Sequence, residues 1–238
     1  LRLLMPKGME PLSLIKTFII RLEENEHSCQ MAEECLLQAV KHGLRPTYYK
    51  AINGNNFEHH YTTTGLKKQG KFKKGRLGVI GCFFSHYYLW QTCVELDQPI
   101  IILEHDGYLT RSIDDTILDQ FDDVLKLDRL DPYSKHYERD LEAEQHLPTT
   151  VESYTNDPTK VLKQGLKDYF KGAYSYIIKP HAAKKLIRYI NINGHRPADQ
   201  QINATIVKLQ TTVPTVARLH PYYAIGNNID TASLTRNL

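Results

Sequence analysis

The chain has 238 residues, 41% hydrophobic and 24% charged, with a formal net charge of +3. That length suits one domain with a substantial core, and the balance excludes an extensively disordered chain. The mild positive excess does not by itself point to nucleic acid and is compatible with an anionic substrate.

Thr17 to Leu22 is compact, β-branched and apolar, as expected of a strand buried on both faces. A helix is predicted over Glu26 to His42, because Met31, Cys35, Leu36, Ala39 and Val40 fall at helical spacing and Gly43 is placed to end it. Thr47 to Ile52 reads as a second strand, and Asn53-Gly54-Asn55-Asn56 as a turn. Strand, helix, strand opens an α/β fold with a largely parallel sheet. Leu66 to Arg76 carries six basic residues and reads as a loop, either simply solvated or in contact with the phosphates of a donor or of a nucleic-acid acceptor.

Leu77 to Leu96 is predicted to be a helix, apolar over much of its circumference and so well buried. Ile100 to Leu103 is wholly apolar, which suits a central strand, and three polar residues follow it at once: Glu104, His105 and Asp106. Beyond them a helix falls within 110–120 and a strand at 122–127. Asp128 to Asp157 is long, polar and poor in core residues, a length that marks functional or mobile segments in compact domains. Then come a strand at 172–178, a helix from Pro180 to Ile190 with proline near its start, and a helix from Ala198 to Leu209. No repeat or linker divides the chain, so a single domain over 1–238 is expected.

Cys29, Cys35, Cys82 and Cys93 form no CxxC pair and lie near no histidine at zinc-finger spacing, so they read as reduced, largely buried thiols. No apolar run reaches the length of a membrane span. Pro6, Gly8, Glu10 and Pro11 interrupt the start of the chain, a poor fit to a signal peptide, and the expected location is cytoplasmic.

Parallel α/β sheets bind ligands beyond the carboxyl ends of their strands, where Glu104 and Asp106 are predicted to lie. If the backbone stays extended, their alternate spacing puts both carboxylates on one side. Such a pair can hold manganese or magnesium against a diphosphate; equally, it can cap the next element or pair with a lysine.

Several ordered blocks carry a resemblance. They are Phe18-Ile19-Ile20-Arg21-Leu22, Ala51-Ile52-Asn53-Gly54, Ile80-Gly81-Cys82-Phe83-Phe84-Ser85-His86 with Leu89-Trp90, and Ile102-Leu103-Glu104-His105-Asp106. Ala173 to Ile178 with Ala182 to Leu186, and Pro197-Ala198-Asp199, continue the series. Together they resemble the family 25 glycosyltransferases, which include bacterial lipooligosaccharide galactosyltransferases and the collagen galactosyltransferases. The resemblance implies an α/β, GT-A-like, Rossmann-type three-layer fold with a mostly parallel central sheet. It also implies a UDP-sugar donor, a hydroxyl acceptor on a glycan or protein, inversion, and a divalent cofactor, Mn2+ or Mg2+.

Carried over block by block, the resemblance marks Ile20, Arg21, Leu22, Asn53, Gly54, Ser85, His86, Glu104, His105 and Asp106 as donor-binding. It makes Glu104 and Asp106 metal ligands and Asp199 the general base that deprotonates the acceptor hydroxyl; apart from the resemblance, His220, before Pro221, reads as a candidate third metal ligand late in the chain. Asp199 also reads as a helix cap, Ser85 as a partner of the preceding helical turn, and His86 as a satisfied core histidine. Three positions depart from the family pattern: Val79 replaces a glutamate, Arg21-Leu22-Glu23 an Asn-Leu-Asp, and His105 the middle acidic residue. Competing readings are the same chemistry on modified nucleic acid through Lys67 to Arg76, a non-catalytic nucleotide-sugar-binding module, and a metal-dependent hydrolase.

Overall fold

The computed structural model describes residues 15–67, 77–131, 134–155 and 168–221. The basic stretch from Lys68 to Arg76, on which the nucleic-acid reading rests, lies outside the described residues.

The chain enters through β1 (Lys16–Arg21), α1 (Glu26–Lys41) and β2 (Pro46–Lys50). A single 3-10 turn (Gly54–Asn56) and α2 (Phe57–Thr64) lead to the long α3 (Leu77–Leu96). Then come β3 (Ile100–Glu104), β4 (Gly107–Leu109), α4 (Ile117–Gln120), β5 (Val124–Lys126), α5 (Tyr137–Glu144) and β6 (Thr150–Ser153). The described chain closes with β7 (Ser175–Ile178), α6 (Pro180–Asn193), α7 (Ala198–Gln201), β8 (Leu209–Val213) and β9 (Ala217–Leu219).

Seven strands form one sheet in the order β2-β1-β3-β7-β5-β8-β6. In it β1, β2, β3, β5 and β8 run one way, while β6 and β7 run against them. A separate ribbon pairs β4 with β9. Strand alternation divides the core into two layers. Ile100 and Ile102 face α3 and α6 with Ile20, Val124, Tyr176 and Ile178. Ile101 and Leu103 face α1 with Ile19, Leu125 and Ile177. This is the expected three-layer α/β architecture, with helices on both faces of a mostly parallel sheet.

The entry helix is fixed by local chemistry: Asn25 caps α1 by accepting from Ser28 N at 2.8 Å. The junction between α3 and the end of β2 is tighter. Ser85 Oγ donates to Gly81 O, and Ile52 N donates to Ser85 Oγ, both at 2.8 Å. The helix and the loop approach so closely that a Cβ on Gly81 would lie 2.3 Å from Ile52 O, and one on Gly54 1.8 Å from Leu77 O. Backbone atoms cannot yield as a flexible side chain can, so Gly81→Ala forces the two elements apart. We expect it to cost about 3 kcal/mol of stability, read as a lowered urea midpoint. A midpoint unchanged from wild type would show that the junction yields.

The structure departs from the sequence reading in three places. The helix predicted over Ala198 to Leu209 stops at Gln201. Asn203 Nδ2 donates to Gln200 O and Gln201 O while its Oδ1 accepts from Thr205 N, a local network that ends the helix. β8 then starts at Leu209. The segment read as a long polar loop after Asp128 holds α5 and β6, with Tyr137, Leu141 and Glu144 buried. β6 pairs with β8, and Tyr137 of α5 donates to the buried Asp128 carboxylate, which also accepts from the Tyr174 hydroxyl, Thr215 Oγ1 and Leu130 N. Finally, β3 ends at Glu104 and His105-Asp106 make a turn into β4, so the extended backbone that would align Glu104 with Asp106 is absent.

Candidate functional site

A cleft opens at the carboxyl edge of β1 and β3. Its apolar wall is Ile20 and Leu22 with Ala51 and Ile52. Its polar side is Cys82, Ser85 and His86 from α3, with Glu104 and His105 from the end of β3. Glu104 arrives there because it is two residues on from Ile102 on the α3 face, level with Ile20 of β1.

Glu104 is the centre of the polar side. Its Oε1 lies 3.0 Å from His86 Nε2 and 3.8 Å from Cys82 Sγ. Burial pushes this carboxyl up, but the hydrogen bond from His86, with His105 beside it, outweighs that and holds the group below its ordinary value. Cys82 goes the other way: burial and the Glu104 carboxylate push its thiol well up, so it stays protonated.

Two more carboxylates share this field. Burial, with the Glu104 charge adding to it, pushes Asp106 up to about 6. Asp199, at the start of α7, is also pushed up to about 6 by burial and by the Glu104 charge. Its Oδ1 accepts from Gln200 N at 2.9 Å. Asp106 Oδ1 is buried and has no hydrogen-bond partner among the described residues, a costly state for a polar atom and one that fits a ligand group. Glu104 repels both of the other carboxylates, and such a set is a poor seat for an anionic diphosphate unless a cation accompanies it.

Other predicted positions lie elsewhere. Arg21 alternates away from Ile20 and Leu22, stacking its guanidinium 3.8 Å over the Tyr48 ring. Asn53 caps the 3-10 turn through Asn55 N and reaches Glu24, and Gly54 is packed against Leu77. Ser85 lines the cleft, but its hydroxyl already bridges Gly81 and Ile52. His220 N donates to Asp106 O at 2.7 Å, yet its Nε2 lies 2.9 Å from Glu34 Oε2 on α1. A role as third metal ligand would require the ring to leave Glu34.

Sequence reasoning missed Cys82 as part of the site. Its Sγ, His86 Nε2 and a Glu104 oxygen lie within 4.8 Å of one another, a three-ligand group among the described residues. The signal was its place one helical turn before His86.

A family model described as "Glycosyltransferase family 25 (LPS biosynthesis protein)" matches residues 14–202. Among solved structures, the chain is similar to the glycosyltransferase GlyE of Streptococcus pneumoniae TIGR4, at 11% identity over 83% of this chain and 44% of that one, TM-score 0.34. It thus spans less than half the length of that protein. A glycosyltransferase involved in the glycosylation of the major capsid of PBCV-1 shares 10% identity over 83% and 80% of the two chains, TM-score 0.37. Mouse xyloside xylosyltransferase 1 shares 10% identity over 79% and 80%, TM-score 0.39. None of the curated proteins matches the chain.

Proposed function

The chain belongs to glycosyltransferase family 25, and from that premise we propose that it transfers a hexose, galactose or glucose, from a UDP-sugar to a hydroxyl of a glycan or protein acceptor, with inversion and with divalent-metal assistance. The observation that carries this reading is Glu104 on the cleft wall, with Asp106 and Asp199 both raised by its charge.

Inversion in one displacement needs a base for the acceptor hydroxyl. Asp199 takes that proton as the hydroxyl oxygen bonds to the anomeric carbon. The bond from that carbon to the diphosphate oxygen breaks, and the diphosphate leaves with the electron pair. Ile20, Leu22, Ala51 and Ile52 offer the apolar wall on which a nucleoside would lie, excluding water from one side. Glu104 and Asp106 would hold the cation, and the orphaned Asp106 oxygen and the carboxylate repulsion fit that role. Manganese or magnesium there would neutralise charge on the departing diphosphate.

Such a contribution is worth several kcal/mol, so chelation with EDTA is expected to lower transfer from UDP-galactose or UDP-glucose by about 100-fold or more. Added Mn2+ should restore it. Full turnover by metal-stripped protein in EDTA would overturn the metal assignment. Product formation on a glycan panel tests the reading as a whole, and donor binding without any turnover would favour a non-catalytic module. Among the described residues no helix is long and apolar enough to cross a membrane, and we place the activity in the cytoplasm, in lipopolysaccharide biosynthesis.

A further inference from the structure

Behind Glu104 runs a chain of buried polar groups that the transfer reaction does not itself call for. Trp90 Nε1 lies 2.9 Å from Tyr176 Oη, Tyr176 Oη lies 2.8 Å from His86 Nδ1, and His86 Nε2 lies 3.0 Å from Glu104 Oε1. Trp90, Tyr176 and His86 are wholly buried. The indole N–H can only donate, and the ionised carboxylate can only accept. Tyr176 Oη therefore accepts from Trp90, and its own proton needs an acceptor. His86 Nδ1 is the one acceptor within reach among the described residues.

That requirement fixes the imidazole. Were Nδ1 protonated, it too would donate to Tyr176 Oη, stranding the phenol proton without an acceptor in the core, a costly state for a buried donor. Burial holds the Tyr176 phenol well above its ordinary value, so it keeps its proton. With Nδ1 accepting, Nε2 carries the hydrogen and points it at Glu104 Oε1. That oxygen is then committed, also to the Cys82 thiol, and the second carboxylate oxygen is left for the cleft.

We propose that Tyr176, backed by Trp90, is a positioning residue of the donor site: it locks His86 as the Nε2–H tautomer, so that Glu104 presents one oriented oxygen to the donor's cation. This rests on the assignment of Glu104 as a metal ligand. The same proton order removes His86 from the Cys82–His86–Glu104 trio as a ligand, because Nε2 has no lone pair to offer. It also gives one physical account of blocks far apart in sequence: the histidine and tryptophan of α3, the tyrosine of β7 and the glutamate of β3.

Two measurements test it. Long-range 1H–15N correlation spectra of the imidazoles should show wild-type His86 as a neutral ring protonated at Nε2. A ring protonated at Nδ1, or at both nitrogens, overturns the proposal. Electron paramagnetic resonance titration with Mn2+ alone should then show affinity falling about tenfold or more in Tyr176→Phe, with His86 losing its single-tautomer pattern. Tyr174→Phe is the control, since it also removes a buried tyrosine hydroxyl from the same segment, one bonded to Asp128 rather than to His86. It should lower stability and leave Mn2+ affinity and the His86 spectrum unchanged. Equal loss of affinity in both variants would reduce Tyr176 to a packing residue. If wild type binds no Mn2+, the metal assignment falls, and the His86 spectra alone then decide whether Tyr176 sets the tautomer.

Discussion

Asp199→Asn is expected to reduce turnover about 100- to 10,000-fold while leaving UDP-sugar binding near wild type. Asparagine is close in shape and keeps an oxygen to accept from Gln200 N, so the start of α7 should hold. What it loses is basicity at the one carboxylate of the field that lies outside the β3–β4 turn. The pH profile gives a second signature. Burial and the Glu104 charge raise the Asp199 carboxyl to about 6. A base acts deprotonated, so its contribution is complete above that value and is lost as pH falls through it. Asp106, also raised to about 6, must be ionised to hold a cation. The acidic limb of kcat/KM in wild type should therefore show the steepness of two protons, and that of Asp199→Asn the steepness of one. Near wild-type turnover in the variant, with donor binding intact, would remove Asp199 as the base and leave it as a helix-start residue.

The parts of this site that were legible in the sequence are those fixed by strand alternation and by contiguous blocks. Ile100 to Leu103 had to be a central strand because every residue in it is apolar, and it delivers Glu104 to the edge where ligands bind. Leu77 to Leu96 had to be a buried helix because it is apolar over much of its circumference, and its bounds are those read from the sequence. Reasoning by local pattern failed where a few hydrogen bonds decide the path. Asn203 ends α7 with three side-chain bonds, against an apolar spacing that continues to Val207 and Leu209. The turn at His105-Asp106 breaks the extended run that would have aligned two carboxylates, yet the Glu104 charge still raises Asp106 across it. α5 was hidden by its polar composition; its first residue, Tyr137, is held by the Asp128 carboxylate and its buried Glu144 by Thr215 N, which no hydrophobic period records.

The role of the Gly-Cys-x-x-Ser-His block was legible only as a resemblance, and the structure splits it into two jobs. Gly81 and Ser85 hold α3 against the end of β2 and so shape the apolar wall at Ala51 and Ile52. Cys82 and His86, on the neighbouring stripe of the same helix, turn to Glu104. A helix that grips the loop with one stripe and orients a carboxylate with the next couples the wall of the cleft to its charged edge.

Glu104→Gln draws on both halves of that arrangement. Glutamine retains a carbonyl oxygen for His86 Nε2–H, so the buried relay stays satisfied and the fold should persist. Its amide carries no charge and is a weaker ligand for a hard cation. Replacing even an outer partner of a metal ligand costs about 10- to 100-fold, and the loss of a ligand itself should exceed that, so transfer is expected to fall at least about 100-fold. The charge change has a further consequence, opposite in sign to simple impairment. The Glu104 charge raises both Asp106 and Asp199. Without it both carboxyls ionise more readily, and the acidic limb of the residual activity moves to lower pH than in wild type. A pH profile of kcat/KM on the variant measures both effects at once. Unchanged activity would confine Glu104 to the buried relay. Lowered activity with an unmoved acidic limb would show that its charge does not reach the other two carboxylates, and would dissolve the single field on which the proposed transfer depends.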